Sequence, residues 1–189
     1  MQARTQTSEE VEALHRIRAS RLRKAGLFGA YAEADSPEGC ACFQRYAKGR
    51  GSYLWGTCGT GKTYAAACAV RMVALDGGRA KLMTAKALLD GIKAEWDGGE
   101  RGTLERAERY DLLALDDLGM ERPTDWAKET ITRLIDTRTM RGLPTIITSN
   151  YRLGQLRDIW GGIEGDRLAS RIMGACDRVE MSGPDRRAR

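Results

Sequence analysis

Gly56-Thr57-Cys58-Gly59-Thr60-Gly61-Lys62-Thr63 fits the pattern G-x-x-x-x-G-K-[ST] at every fixed position. Its flanks give the match a structural context. Tyr53-Leu54-Trp55 ahead of it reads as an apolar strand, and Tyr64-Ala65-Ala66-Ala67-Cys68-Ala69-Val70 behind it reads as a helix. Strand, glycine-rich bend and helix in that order make a cradle for phosphate. Glycines let backbone N–H groups turn inward where side chains would obstruct them, and the helix adds the positive end of its dipole. In such a loop the Lys62 ammonium reaches β- and γ-phosphates and the Thr63 hydroxyl ligates Mg²⁺. Cys58 stands where the pattern tolerates any residue and is given no catalytic role.

Outward from this loop the chain alternates. Short apolar runs of β type at 52–55, 80–83, 112–115, 145–148 and 178–181 are separated by helical patterns at 62–75, 85–96, 103–109, 126–141 and 153–173. Such alternation predicts an α/β fold, a mostly parallel sheet with helices on both faces. The runs are continuous rather than alternating, which fits strands buried on both sides. A further helix is expected at 41–47, after the turn cluster Asp35-Ser36-Pro37-Glu38-Gly39. Residues 8–25 read as a basic amphipathic helix, with Val11, Leu14, Ile17 and Leu22 on one face among Arg16, Arg18, Arg21, Arg23 and Lys24. The expected division is a short basic N-terminal helix, 1–26, and one α/β domain, 27–189.

Two further strand ends carry chemistry. Asp111-Leu112-Leu113-Ala114-Leu115-Asp116-Asp117-Leu118-Gly119 is an apolar strand finishing in two acids. A carboxylate at the carboxyl end of a buried parallel strand is poorly placed for stability and well placed for a ligand lying across the strand ends. Asp116 is the expected Mg²⁺-associated acid, and Asp117 the group that orients or activates an attacking water. Pro144-Thr145-Ile146-Ile147-Thr148-Ser149-Asn150 again runs apolar and turns polar. There Asn150 either bonds the lytic water and a γ-phosphate oxygen or is a plain turn residue.

Composition narrows the partners. The 189 residues are 42% hydrophobic, enough for a real core, and no apolar run approaches the length of a membrane span. The first ten residues are polar, without the apolar core of a signal peptide, so a cytoplasmic location is expected, with no membrane partner. Of the five cysteines, Cys40 and Cys42 form a lone C-x-C, and His15 is the single histidine. Reduced thiols are therefore expected rather than a zinc site or disulfides. A net charge of +5 is compatible with a phosphate-rich partner.

Taken in order, 56–63, Tyr110-Asp111-Leu112-Leu113-Ala114-Leu115-Asp116-Asp117-Leu118-Gly119 and Leu143-Pro144-Thr145-Ile146-Ile147-Thr148-Ser149-Asn150 resemble the Walker A, Walker B and sensor 1 motifs of AAA+ ATPases. They are similar in particular to the DnaC/IstB group, which holds bacterial and phage helicase loaders and the helper ATPases of certain transposons. The resemblance covers about 27–187. It implies a P-loop NTPase of AAA+ type, with a parallel five-stranded sheet and no C-terminal lid domain, that binds and hydrolyses ATP with Mg²⁺.

The implied nucleotide residues are Gly56, Thr57, Cys58, Gly59, Thr60, Gly61, Lys62 and Thr63, with Thr63 and Asp116 on the metal and Asp117 and Asn150 at the lytic water. Asp117 stands where many AAA+ proteins carry Glu. Gly165-Asp166-Arg167-Leu168-Ala169-Ser170-Arg171-Ile172-Met173 looks like the segment that presents an arginine finger to a neighbouring subunit's ATP. Arg171 is its first candidate and Arg167 its second, which implies an ATP-dependent homo-oligomer. Gly183-Pro184-Asp185-Arg186-Arg187 is similar to the family's terminal stretch with a sensor-2-type arginine, here Arg187.

The implied work is loading or remodelling a replicative helicase on single-stranded DNA, or assisting a transposase on DNA. DNA would lie along 85–109, where Lys86, Lys93, Arg101, Arg106 and Arg109 are mixed with acids. A P-loop small-molecule kinase and a nucleotide-binding adaptor without turnover are the alternatives of another class. The acid pair, Asn150 and Arg171 speak against the kinase, and Asp117 in place of Glu keeps the adaptor open.

Overall fold

Five segments pair into one sheet: β1 (Gly51–Trp55), β2 (Ala80–Thr84), β3 (Leu112–Asp116), β4 (Thr145–Ser149) and β5 (Cys176–Glu180). Their order is β2-β3-β4-β1-β5 and every neighbouring pair is parallel. The computed structural model describes residues 8–119 and 124–186. In chain order the helices are α1 (Ser8–Lys24), α2 (Pro37–Ala47), α3 (Lys62–Leu75), α4 (Ala85–Trp96), α5 (Thr103–Ala107), α6 (Asp125–Met140), α7 (Leu153–Trp160) and α8 (Gly162–Ala175). A 3₁₀ turn spans Gly29–Glu33.

The inner strands send alternate side chains to two separate cores. Leu54, Leu112, Ala114 and Ile146 join α2 and α3 on one face. Tyr53, Leu113, Leu115 and Ile147 join α4, α6, α7 and α8 on the other. Both faces are covered, so all five residues of β3 and of β4 are buried. The alanine run of α3 lets α2 come close: a Cβ on Gly39 would lie 2.4 Å from the Cys68 Cβ. All parallel strands thus point their carboxyl ends the same way, and the P-loop emerges between β1 and α3.

Three boundaries differ from the sequence reading. The helix expected over 153–173 is two, because Gly161 takes φ +67° and its N–H closes α7 on Arg157 O at 2.8 Å. β5 lies at Cys176–Glu180 rather than 178–181; it is an edge strand in which Cys176 alone of the five residues is buried, so it lacks the apolar run of the inner strands. α2 begins four residues before the expected start. Ser36 accepts from Gly39 N at 3.0 Å and Pro37 opens the first turn, so the expected turn cluster is a helix cap.

The C-terminal end of α1 is tied to the domain by hydrogen bonds. Arg21 donates to Leu75 O at 2.8 Å, Lys81 to Lys24 O at 3.1 Å, and Leu82 N to Ala25 O at 2.8 Å. Of its predicted apolar face Leu22 packs against the core, while Val11, Leu14 and Ile17 remain 38%, 46% and 50% exposed. Among the described residues no helix is long and apolar enough to cross a membrane. All five cysteines are free, and Cys40, Cys68 and Asp35 bring their sulfur and oxygen atoms within 4.8 Å of one another.

Candidate nucleotide site

The loop 56–63 passes from β1 into α3, and a cavity of about 500 Å³ opens above it. Cys58, Gly59, Gly61, Lys62, Thr63 and Tyr64 line it from the loop and helix, Asp117 and Asn150 from the ends of β3 and β4. Lys62 is 5% exposed, and its Nζ donates to Gly56 O at 2.9 Å and Thr57 O at 2.8 Å. The ammonium is therefore held at the mouth of its own loop, a side-chain rotation away from any phosphate in the cradle.

Thr63 and Asp116 meet beneath the loop. The Thr63 hydroxyl lies 3.0 Å from Oδ1 and 3.2 Å from Oδ2 of Asp116. Burial pushes the Asp116 carboxyl above its ordinary value and the Asp117 charge adds to this, while the Thr148 and Thr63 hydroxyls and Lys62 pull it back. A hydroxyl and a buried carboxylate this close form a hard oxygen donor pair. That suits Mg²⁺, which takes one or two carboxylates and keeps phosphate oxygens and waters for the rest of its shell.

Asp117 has φ +57°, the one non-glycine in the left-handed region among the described residues. Thr148 explains how it stays there. The Thr148 hydroxyl donates to Asp116 Oδ1 at 2.5 Å and accepts from Asp117 N at 2.9 Å, while Leu118 N donates to Thr148 O at 2.9 Å. One β4 residue thereby bends the chain so that Asp116 turns inward and Asp117 faces the cavity. Ser149 extends the clasp by donating to Leu118 O at 2.7 Å and accepting from Tyr151 N at 3.2 Å.

Two further walls went unread in the sequence. Ala30 and Tyr31 of the 3₁₀ turn line the cavity, and the turn is tied to α3 by Arg71 Nε on Ala32 O at 3.0 Å. Arg186 lines it as well, paired with Glu38 at 2.9 Å, and this guanidinium holds the Glu38 carboxyl below its ordinary value. The chain ahead of Arg186 runs along the loop: Arg186 N donates to Gly59 O at 2.9 Å, and a Cβ on Gly59 would lie 2.1 Å from the Asp185 carboxylate. Arg187 lies outside the described residues. Of the signals available, only the arginine pair at 186–187 pointed here, and spacing does not separate its two members.

Arg171 sits elsewhere, on α8, with its Nε 2.6 Å from Asp136 of α6. Arg167 pairs with Glu164 of its own helix at 3.2 Å.

A family model described as "IstB-like ATP binding protein" matches residues 47–189. The chain belongs to this family. Its fold is that of AAA+ P-loop proteins, and the family is one of ATP-binding proteins. The chain is 28% identical over 147 residues to an ATP-binding protein in an insertion sequence of Mycobacterium tuberculosis, covering 75% of this chain and 57% of that one. It is 26% identical over 150 residues to the replicative helicase loader DnaI of Bacillus subtilis, covering 74% and 48%. The crystal structure of the DnaC helicase loader superposes with a TM-score of 0.63 at 25% identity, covering 95% of this chain and 94% of that one. This IstB-like chain thus spans about half the length of the curated relatives it matches.

Proposed function

We propose that this IstB-like protein hydrolyses ATP with Mg²⁺ in an ATP-dependent homo-oligomer, and that the cycle loads or remodels a replicative helicase on single-stranded DNA. The observation that carries the reading is the bridge from Thr63 through Asp116 to Thr148, which joins the P-loop to two strand ends and presents Asp117 to the cavity. In this reading Lys62 exchanges the carbonyls of Gly56 and Thr57 for phosphate oxygens, and Thr63 and Asp116 hold the cation. When bound, Mg²⁺ supplies neutralisation of the charge that develops on the phosphates. Asp117 accepts the proton of the attacking water, Asn150 orients that water, and Arg186 stands where a terminal arginine would meet the nucleotide. Arg171 reaches the site of a neighbouring copy as the finger.

Partner contacts follow from two exposed features. The uncovered stripe Val11, Leu14 and Ile17 on α1 is the proposed helicase contact, an apolar face rimmed by arginines. Trp96 of α4 is 68% exposed, packs edge-on against Trp126 at 5.3 Å, and lies near Lys93, whose Nζ is 5.2 Å from the Trp126 ring centre. Exposed rings beside cations are what the bases and phosphates of a single strand use. The family description and the mycobacterial relative favour a second reading, a transposition helper that acts with a transposase on DNA.

ATP turnover measured alone, with single-stranded DNA plus a replicative helicase, and with duplex DNA plus a transposase separates the two. Stimulation in the second arm supports the loader; stimulation confined to the third replaces it with the helper. Turnover that survives Lys62→Ala refutes both.

A further inference from the structure

Arg171 of α8 and Asp136 of α6 form an ion pair across two helices. Asp136 is 22% exposed at its side chain and Arg171 55%, so the anion is sunk between α6 and α8 and the cation stands over it. The approach is through Nε, at 2.6 Å from Oδ1, and the N–H is not aligned for a hydrogen bond to that oxygen. It is a close charge contact at the root of the guanidinium. Arg167 has no such support from another helix: its partner Glu164 lies three residues back on α8, an ordinary surface pair.

The surroundings fit a docked protein. A groove of about 580 Å³ is lined by Asp136, Thr137 and Met140 of α6 and by Glu164 and Arg167 of α8. Met140, one turn beyond Asp136 on the same face, is 81% exposed.

We infer that Asp136 is a positioning residue for Arg171, fixing the guanidinium root so that its outer nitrogens meet the phosphates of a second copy docked at this face. The inference rests on the reading of Arg171 as a finger supplied in trans. An arginine on an exposed helix samples many rotamers, and a reacting group displaced by about 1 Å loses up to about 100-fold in rate. A half-buried carboxylate whose closest contact is Nε limits that freedom while the Arg171 side chain stays 55% exposed.

The test uses full chains carrying Asp136→Asn, Asp136→Glu, Arg171→Ala and Lys62→Ala. Asp136→Asn lowers kcat by about 10- to 100-fold with KM for ATP unchanged. Asp136→Glu, which keeps the charge and shifts it by one methylene, falls between it and the parent. Lys62→Ala subunits, inert themselves, restore hydrolysis to either Asp136 variant because they donate an intact finger. The double variant with Arg171→Ala is no slower than Arg171→Ala alone.

An Asp136→Asn defect that Lys62→Ala subunits do not restore lies in the subunit's own site and overturns the inference, as does an unchanged kcat. Should Asp136→Asn fail to fold, Asp136→Glu carries the same comparison. An Arg171→Ala protein with normal turnover removes the in-trans finger itself; a slow Arg171→Ala beside a normal Asp136→Asn removes the inference alone.

Discussion

Thr148 has one hydroxyl and uses it twice, as donor to Asp116 and as acceptor from the Asp117 N–H. Valine has nearly the same shape and neither function. Thr148→Val is expected to cost about 1–3 kcal/mol, the penalty for leaving buried polar groups unpaired. It should also slow hydrolysis while nucleotide affinity holds, because the P-loop is untouched. Denaturant melts, nucleotide titration and single-turnover hydrolysis read the three effects; unchanged hydrolysis would make the clasp mere scaffolding. Asp117 offers a cleaner separation. Asparagine tolerates the left-handed region at least as well as aspartate, so Asp117→Asn should fold with parental stability and lose about 10²- to 10⁴-fold in kcat. A parental rate in that variant would hand the proton transfer to another group. Sequence pointed to both acids because acids at the tip of an apolar strand are conspicuous. It passed over Thr148, since a threonine within a β run looks like an ordinary strand residue until cross-strand register sets it beside Asp116, one step beyond the Leu115–Ile147 pair.

At the scale of elements, legibility followed burial and capping. The starts and ends of α3 and α4 were readable because each begins at an unmistakable boundary, the P-loop for one and the Thr84 cap for the other. The α7–α8 break was not, because Gly161-Gly162 interrupts an apolar period that continues on both sides. Arg138 shows a deeper limit. On α6 it reads as one more surface cation, yet it is 0% exposed and donates to Thr145 Oγ1, Ala107 O, Tyr110 O and Pro144 O at 2.7–2.9 Å. Those acceptors come from the end of α5, the loops ahead of β3 and β4 and the first residue of β4, so no local pattern announces the arrangement. Burial lowers its pKa to about 10, and it stays charged at neutral pH. Arg138→Met should therefore destabilise by at least about 1–3 kcal/mol, the cost of a buried polar group left unpaired, since several acceptors lose their donor at once. The denaturant midpoint should fall with the slope unchanged. A loss under about 1 kcal/mol would mean that water replaces the guanidinium at those carbonyls.

Across the whole molecule, the cavity above the P-loop gathers parts that are far apart in the chain. Tyr31 comes from the 3₁₀ turn, Lys62 and Thr63 from the P-loop, Asn150 from the end of β4 and Arg186 from the C-terminal arm. A ligand touching all of them ties the arm and the N-terminal turn to the sheet, so binding should register as global stability. At a nucleotide concentration one hundred times Kd the gain is about 2.7 kcal/mol. For a domain of this size that raises the melting midpoint by about 5–10 °C. Arg186 already has an exposed partner in Glu38, so its removal should barely change the free protein: surface pairs contribute about 1 kcal/mol or less. Arg186→Ala is thus expected to melt within about 4 °C of the parent without nucleotide. At the same nucleotide concentration it should show a clearly smaller rise, because its Kd is weaker. Melting curves of both proteins across a nucleotide titration check this. An equal rise in the two would show that the arm rests on Glu38 whether or not the site is filled, and that the nucleotide is held by the P-loop and strand ends alone.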